Sequence, residues 1–182
     1  MLVRELMTEE VVCCTPWDTA RAAANLMKVH DVGAIPVVWD KRDPLLEGIV
    51  TDRDLCCGVV ADAKNGEAIT ISELMTPIPV TCQPESTIED CEELMQENQV
   101  RRIPVVNERG RCVGIVTQAD IVRHAPATQV AKTIKEISKS AQQHRKMPIE
   151  KDYFYCGQPH EEDQILLLNR RRELDREAEV FR

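Results

Sequence analysis

Aromatic side chains are scarce in this chain: Phe, Trp and Tyr together make up 3% of its 182 residues, whereas apolar residues of all kinds make up 43%. A core built from it must rest on Val, Ile, Leu, Met and Ala, and the balance is that of a globular rather than a disordered protein. Long apolar runs are lacking too. No stretch approaches the roughly 20 residues of a membrane span, and no charged-then-apolar leader precedes the first structured segment, so the cytoplasm is the expected location and no membrane is expected as a partner. Positive charge is in short supply. The net charge is −8; residues 1–126 carry 12 Lys/Arg against 21 Asp/Glu, and residues 127–182 carry 11 against 10. An acidic body disfavours nucleic acid and anionic membranes, yet permits a small anion held by a few local cations.

Metal-ligand spacing is missing as well. There are eight cysteines, but Cys13-Cys14 and Cys56-Cys57 are adjacent pairs, Cys82, Cys91, Cys112 and Cys156 are scattered, and Cys-x-x-Cys never occurs. The cysteines are expected to serve as small buried hydrophobes, with a metal site as the alternative. His30, His124, His144 and His160 share no ligand spacing and read as solvated or capping residues. No nucleophile, base and orienting group form a recognisable set, so no enzymatic activity is expected.

What the chain does have is a repeat. Val32-Gly33-Ala34-Ile35-Pro36-Val37-Val38 followed by Gly48-Ile49-Val50-Thr51-Asp52-Arg53-Asp54 returns as Val100-Arg101-Arg102-Ile103-Pro104-Val105-Val106 followed by Gly114-Ile115-Val116-Thr117-Gln118-Ala119-Asp120. Met7-Thr8 recurs as Met75-Thr76, Pro16 as Pro84, Asp18 as Ser86 and Leu26-Met27 as Leu94-Met95, all at an offset of 68 that becomes 66 from Gly48 onward. The length change falls in a turn-rich stretch, where it costs little. Each unit is too small to bury its own apolar face, so the two are expected to pack on each other.

Within each unit a short helical or extended lead-in (Val3 to Met7, Ile71 to Met75) precedes an extended segment (Val11 to Cys13, Ile78 to Thr81), where Pro77 and Pro79 favour an edge position. Asp18 and Ser86 are cap candidates, with Ser86-Thr87-Ile88-Glu89 fitting a capping box. Helices are predicted over about 19–30 and 87–98, with Ala20, Ala23, Ala24 and Met27, and Ile88, Cys91, Leu94 and Met95, on the apolar faces. The acidic run Glu89-Asp90-Glu92-Glu93 reads as a solvated face. Two hairpins follow, about 34–39 with 47–51 and 102–106 with 112–117, covered on both sides, and helices of about two turns begin after Thr51 and Thr117.

The paired Gly/Arg-x-Ile-Pro-Val-Val and Gly-Ile-Val-Thr-x-x-Asp motifs resemble the CBS domain family, named for cystathionine β-synthase, over roughly residues 1–125. Two in tandem resemble a Bateman module. The resemblance implies an α/β fold in which β-α-β-β-α occurs twice about a pseudo-two-fold axis, with residues 1–66 as the first motif, 67–126 as the second and 127–182 as a C-terminal helical extension.

A Thr ending a strand and an Asp three residues later face one crevice. The hydroxyl and first-turn amides suit an anion, and the carboxylate can accept two hydrogen bonds from a ribose diol. Ile35-Pro36 and Ile103-Pro104 would wall a planar base. The same Thr-x-x-Asp also reads as a plain helix cap. The family resemblance implies an adenosyl ligand (AMP, ADP, ATP, S-adenosylmethionine or NAD) as a regulatory ligand, with no cofactor required. Asp54 and Asp120 would hold ribose, Thr51 and Thr117 the sugar or phosphate, and the backbone of Val12 and Cys13 and of Val80 and Thr81 the adenine edge. Arg101 and Arg102 would reach phosphate, and the second crevice is expected to be the better phosphate site. The first copy departs from this pattern, with Gly33 and Ala34 in place of the two arginines and Arg53 where the second copy has Ala119.

The tail is expected to be helical over Gln129 to Gln142 and Glu162 to Phe181, broken by Met147-Pro148 and a linker from Tyr153 to Pro159, and to pack on the body or a second chain. Arg170-Arg171-Arg172 lies among acids and reads as a solvated face. The expected function is a stand-alone regulatory or sensor module, a homodimer that could act on a regulated protein partner; the alternative is a ligand-independent dimerisation and interaction scaffold.

Overall fold

The computed structural model describes residues 1–124, 130–131 and 133–138. A 3-10 turn at Val3–Glu5 leads to helix α1 (Ala20–His30), a hairpin of β1 (Ala34–Val38) and β2 (Leu46–Thr51), and a short helix α2 (Asp52–Leu55) that widens into a π-helical stretch, Cys56–Ala61. The second copy runs from a 3-10 turn at Ile71–Glu73 through β3 (Thr76–Pro77), α3 (Ile88–Asn98), β4 (Arg102–Val106), β5 (Cys112–Thr117) and α4 (Gln118–His124). The hairpins match residue for residue: Ala34 stands opposite Thr51 and Arg102 opposite Thr117, with register shifts at Val37/Val38 and Val105/Val106.

The cross-pairing of the lead-ins joins the halves. The second copy's β3 forms the edge of the first copy's sheet, with Thr76 opposite Ile49. Reciprocally, Thr8 and Ile115 exchange both backbone hydrogen bonds at 3.0 Å. Val3 and Arg4 donate to the carbonyls of Ser86 and Pro84, just as Ile71 and Ser72 donate to those of Asp18 and Pro16. Each lead-in therefore completes the other copy's core. Val3 and Leu6 pack with Ile88, Met95, Ile103 and Val116; Ile71 packs with Ala23, Met27, Ile35 and Val50. Burying a side chain such as Ile71 contributes about 1.5–3 kcal/mol, and neither copy can recover that alone. Between the sheets, Ala34, Ile49 and Ile115 form a third cluster with Val11. The hairpin loops also touch: Leu46 donates to the Gly110 carbonyl, Cys112 to the Pro44 carbonyl, and Arg111 pairs with Asp43.

Several expectations shift in detail. Both helices are capped one residue later than predicted. The Thr19 hydroxyl accepts from the Ala22 amide, while Thr87 and Asp90 form the reciprocal box. The reason is that Asp18 and Ser86 are already committed, accepting from the Thr15 and Gln83 amides to close the preceding turns. Both helices end on left-handed residues at matching positions, Asp31 and Gln99. Ala24 is exposed, and Leu26 packs against the first core instead.

Glu92 is not on a solvated face: it is 3% exposed. It lies one turn before Gln96, whose amide donates to the Thr133 hydroxyl at 3.2 Å, on the side of α3 that the helical residues 130–131 and 133–138 cover. Thr133 and Ile137 are buried there, so the described part of the helix expected over Gln129 to Gln142 packs on the second copy. Strand pairing occurs at Thr76–Pro77 rather than 78–81, because Ile78 adopts a left-handed backbone (φ 46°) that turns the chain away. Cys56 is exposed, unlike Cys14, Cys82, Cys91 and Cys112. Among the described residues no helix is long and apolar enough to cross a membrane. Residues 139–182, with the second predicted tail helix, Cys156, His144, His160 and the triple arginine, lie outside the described residues.

The close crossing of the lead-ins requires glycine. A methyl group on Gly114 would stand 3.0 Å from the Thr8 carbonyl oxygen and 2.7 Å from the Met7 sulfur, and one on Gly48 would stand 2.9 Å from the Thr76 carbonyl oxygen. Gly66→Ala would meet only ordinary contacts, the nearest at 3.5 Å. Gly114→Ala is expected to cost about 1–3 kcal/mol by overpacking and Gly66→Ala far less; equal urea midpoints for the two variants would refute the crossing.

Two capping carboxylates set an acid limit. The Thr70 amide and hydroxyl hold Glu73, and the Thr87 hydroxyl and amide hold Asp90, below the usual carboxylate range. A depressed folded value stabilises the fold above the unfolded pKa of about 4 and is lost as the pH falls through the folded value. The urea midpoint should therefore stay level from neutral pH down to about pH 5 and fall below about pH 4, with a shallower fall in Asp90→Asn.

Candidate functional site

The two Thr-x-x-Asp motifs form matching capping boxes. The Asp54 Oδ2 accepts from the Thr51 amide at 2.8 Å and from its hydroxyl at 2.7 Å, and the Thr51 hydroxyl accepts from the Asp54 amide at 3.3 Å. In the second copy the corresponding distances are 2.8, 2.6 and 3.4 Å between Thr117 and Asp120. One carboxylate oxygen of each Asp is thus spent on the cap, which leaves the other to decide what the crevice can do. There the copies diverge. The Asp120 Oδ1 accepts from the Arg123 guanidinium at 2.7 Å, and the residue is 6% exposed. The Asp54 Oδ1 has no protein partner among the described residues, and Asp54 is half-buried. Cys57 stands where the second copy has Arg123.

The strands place the rest. Side chains alternate across a strand, and Ile35 and Ile103, both fully buried, belong to the two helix-covered cores. They cannot wall a base as expected. Only Pro36 and Pro104 fall on the opposite face, and both are buried in the protein as it stands. Val12, Cys13, Val80 and Thr81 are half-buried, and the residues after them, Cys14 and Cys82, dock beside β1 and β4 through hydrogen bonds with Pro36 and Val38, and with Pro104 and Val106.

At the crevice mouths the Gly33 and Arg101 carbonyls accept from the Asp52 and Gln118 amides. Arg101 and Arg53 are exposed. Arg102 instead crosses to the first copy, where its Nη2 and the Asp52 Oδ2 would lie 2.8 and 2.9 Å from a methyl group on Gly33. Gly33 is thus what lets a second-copy guanidinium approach the first-copy crevice. His124 turns its Nδ1 to the Asp120 carbonyl at 2.8 Å, and His30 is exposed.

A cavity of about 210 Å³ opens between the copies, lined by Glu9, Val11, Cys13, Lys41, Pro44 and Cys112. Cys13 and Cys112 face it from the two copies, each thiol donating to a backbone carbonyl of its own segment, Val11 at 3.4 Å and Gly114 at 3.5 Å. Sequence reasoning missed this pairing. The available signal was that neither cysteine is matched in the other copy, which has Thr81 and Leu46 at those positions. Among the described residues no three His, Cys, Asp or Glu side chains converge to hold a metal ion.

The sequence pattern of the CBS domain matches residues 3–59 and again 71–127. Hypoxic response protein 1 of Mycobacterium tuberculosis is 37% identical over 134 residues, which span 74% of this chain and 92% of that protein. Its crystal structure, with two coordinated zinc ions, superposes with a TM-score of 0.62 at 38% identity over 69% of this chain and all of the other. CBSX2 in complex with AMP gives 0.58 at 28% identity, covering 74% of this chain and 98% of that one. The CBS domain pair of protein MJ0100, in complex with 5-methylthioadenosine and S-adenosyl-L-methionine, gives 0.60 at 28% identity, covering 68% and 98%.

Because both threonines cap helices without any ligand, Thr51→Val and Thr117→Val should each cost about 0.5–2 kcal/mol in the unliganded protein. Urea denaturation measures this, and wild-type midpoints in both variants would remove the capping role.

Proposed function

The chain belongs to the CBS domain family, and from that premise we propose that it is a regulatory module binding an adenosyl ligand between its two motifs. The observation that carries this reading is the Asp54 Oδ1: a half-buried carboxylate oxygen, held in position by its partner oxygen's bonds to Thr51 and without a protein partner among the described residues. Such an oxygen suits a ribose hydroxyl pair. The Arg102 guanidinium, close to Gly33 and Asp52, is placed to meet a phosphate or carboxylate on the same ligand.

The sequence alone favours the second crevice for phosphate. The Arg123–Asp120 pair and the reach of Arg102 toward the first copy support the first crevice instead. AMP in CBSX2 and S-adenosyl-L-methionine in the MJ0100 pair support the ligand class. Pro36, Val12 and Cys13 would border the base in the first crevice, and Pro104, Val80 and Thr81 in the second. Ligand binding acts by favouring one arrangement of the motifs, or of two chains in a homodimer, over another, and the effect is limited to the difference in affinity between them.

A thermal-melt panel of AMP, ADP, ATP, S-adenosylmethionine and NAD tests the proposal, since a ligand at 100 times its dissociation constant adds about 2.7 kcal/mol. At least one should raise the melt. Asp54→Asn, which preserves an acceptor for the cap, should abolish most of that rise, and Asp120→Asn should abolish less. A flat panel would favour the ligand-independent scaffold, whereas a wild-type response in both variants would put the binding site elsewhere.

A further inference from the structure

Among the described residues two pairs of cysteines share one cavity or one core, and they differ in access. Cys82 and Cys91 lie inside the second core, both buried. Cys13 and Cys112 belong to different copies and line the inter-copy cavity, where Cys13 is half-buried and Cys112 is buried behind it. Lys41 and Glu9 are the charged groups lining that cavity, and Lys41 is ion-paired with Asp18 at 3.3 Å.

We propose that Cys13 and Cys112 form a redox-active dithiol that reacts with a small-molecule disulfide and closes into a covalent link between the two copies. The Cys13 thiolate attacks one sulfur of the disulfide R–S–S–R, forming Cys13–S–S–R and expelling RS⁻. Cys112 then loses its proton to the medium and attacks the Cys13 sulfur. The Cys13–Cys112 bond forms, the second RS⁻ leaves, and the two thiol protons end on the two expelled thiolates. The two cysteines are oxidised by two electrons and R–S–S–R is reduced to two thiols.

The order of attack follows from the surroundings. The Cys112 thiol, with the Lys41 charge, holds the Cys13 thiol below its ordinary value against its burial. The neighbouring Cys13 thiol, burial and the Cys13 charge all push the Cys112 thiol up. The first and last of these causes vanish once Cys13 is capped as a mixed disulfide, so the resolving thiol is released by the first step. A half-buried thiol held below its ordinary value, sharing a cavity with a buried resolving thiol, is the arrangement such chemistry uses. The link would tie the segment docked on β1 through Cys14 to the first residue of β5. It does not depend on the adenosyl reading, because it needs no ligand in either crevice, although Cys13 also borders the first one.

The test uses the full chain equilibrated in glutathione/glutathione-disulfide buffers of increasing oxidation, quenched, alkylated with N-ethylmaleimide and mapped by mass spectrometry. The expected result is a Cys13–Cys112 linked peptide, about 2 Da lighter than the two free thiol peptides, with both alkylation signals lost together and within one chain. Cys82 and Cys91 should stay alkylatable throughout after unfolding. Cys112→Ser should trap glutathione on Cys13, whereas Cys13→Ser should leave Cys112 unmodified. Full alkylation of Cys13 and Cys112 in the most oxidising buffer would overturn the proposal. So would glutathione on Cys13 of the wild-type chain without closure, a link to another cysteine or between chains, or oxidation of Cys82–Cys91 in preference.

Discussion

Two backbone crossings, Thr8 with Ile115 and Thr76 with Ile49, hold the architecture together. Each brings the lead-in of one copy onto the second hairpin strand of the other, and each passes over a glycine because a side chain there would collide with the crossing carbonyl. The exchange has an energetic consequence. Val3 and Leu6 fill the second copy's core, and Ile71 fills the first copy's, so the hydrophobic gain of either core is available only when both copies are folded together. The pair should fold as one cooperative unit, although the sequence reads as two modules. A ligand between the copies then has little scope to pull them apart. Any signal must travel through smaller movements of the short helices, the hairpin loops and whatever packs on α3.

The hairpins and long helices were legible in the sequence because their signals are local. Apolar runs ending at Thr51 and Thr117, and helices stopped at Asp31 and Gln99, depend on residues a few positions apart. The caps were misplaced by one residue because Asp18 and Ser86 are equally good acceptors for the turn before the helix, and only the three-dimensional path shows that they are taken. Glu92 deceived for a different reason. Its neighbours Glu89 and Glu93 are exposed, and nothing local shows that Thr133 and Ile137 fold back over that side of α3.

The site was legible in composition but not in orientation. Thr51, Asp54, Thr117 and Asp120 could be singled out as residues sharing a crevice, and capping and ligand binding could be posed as rivals. The geometry removes the rivalry, since a carboxylate has two oxygens and the cap uses one. Strand alternation decides which of Ile35 and Pro36 faces the helices, yet an unbroken apolar run such as Ala34–Val38 does not reveal its phase. Arg102 reaching toward Gly33 and Cys13 sharing a cavity with Cys112 are relations between distant positions, invisible to any window along the chain.

Divergence between the copies is therefore more informative than their likeness. The shared residues Thr51/Thr117, Gly48/Gly114 and Ile49/Ile115 build the same backbone twice and set two crevices at the same geometry. Against that constant background, Cys57 against Arg123, Ala34 against Arg102 and Gly33 against Arg101 change only charge and space. In the second copy the protein supplies its own cation to the inner carboxylate, so a diol entering there must displace a charge-assisted hydrogen bond, which is worth more than a neutral one. In the first copy the equivalent oxygen is left to solvent, and a guanidinium from the opposite copy stands near the mouth. A ligand carrying both a diol and an anionic group would therefore displace only water at Asp54, whereas at Asp120 it would first have to break a protein ion pair; the two crevices, alike in backbone, are unequal in what binding costs them.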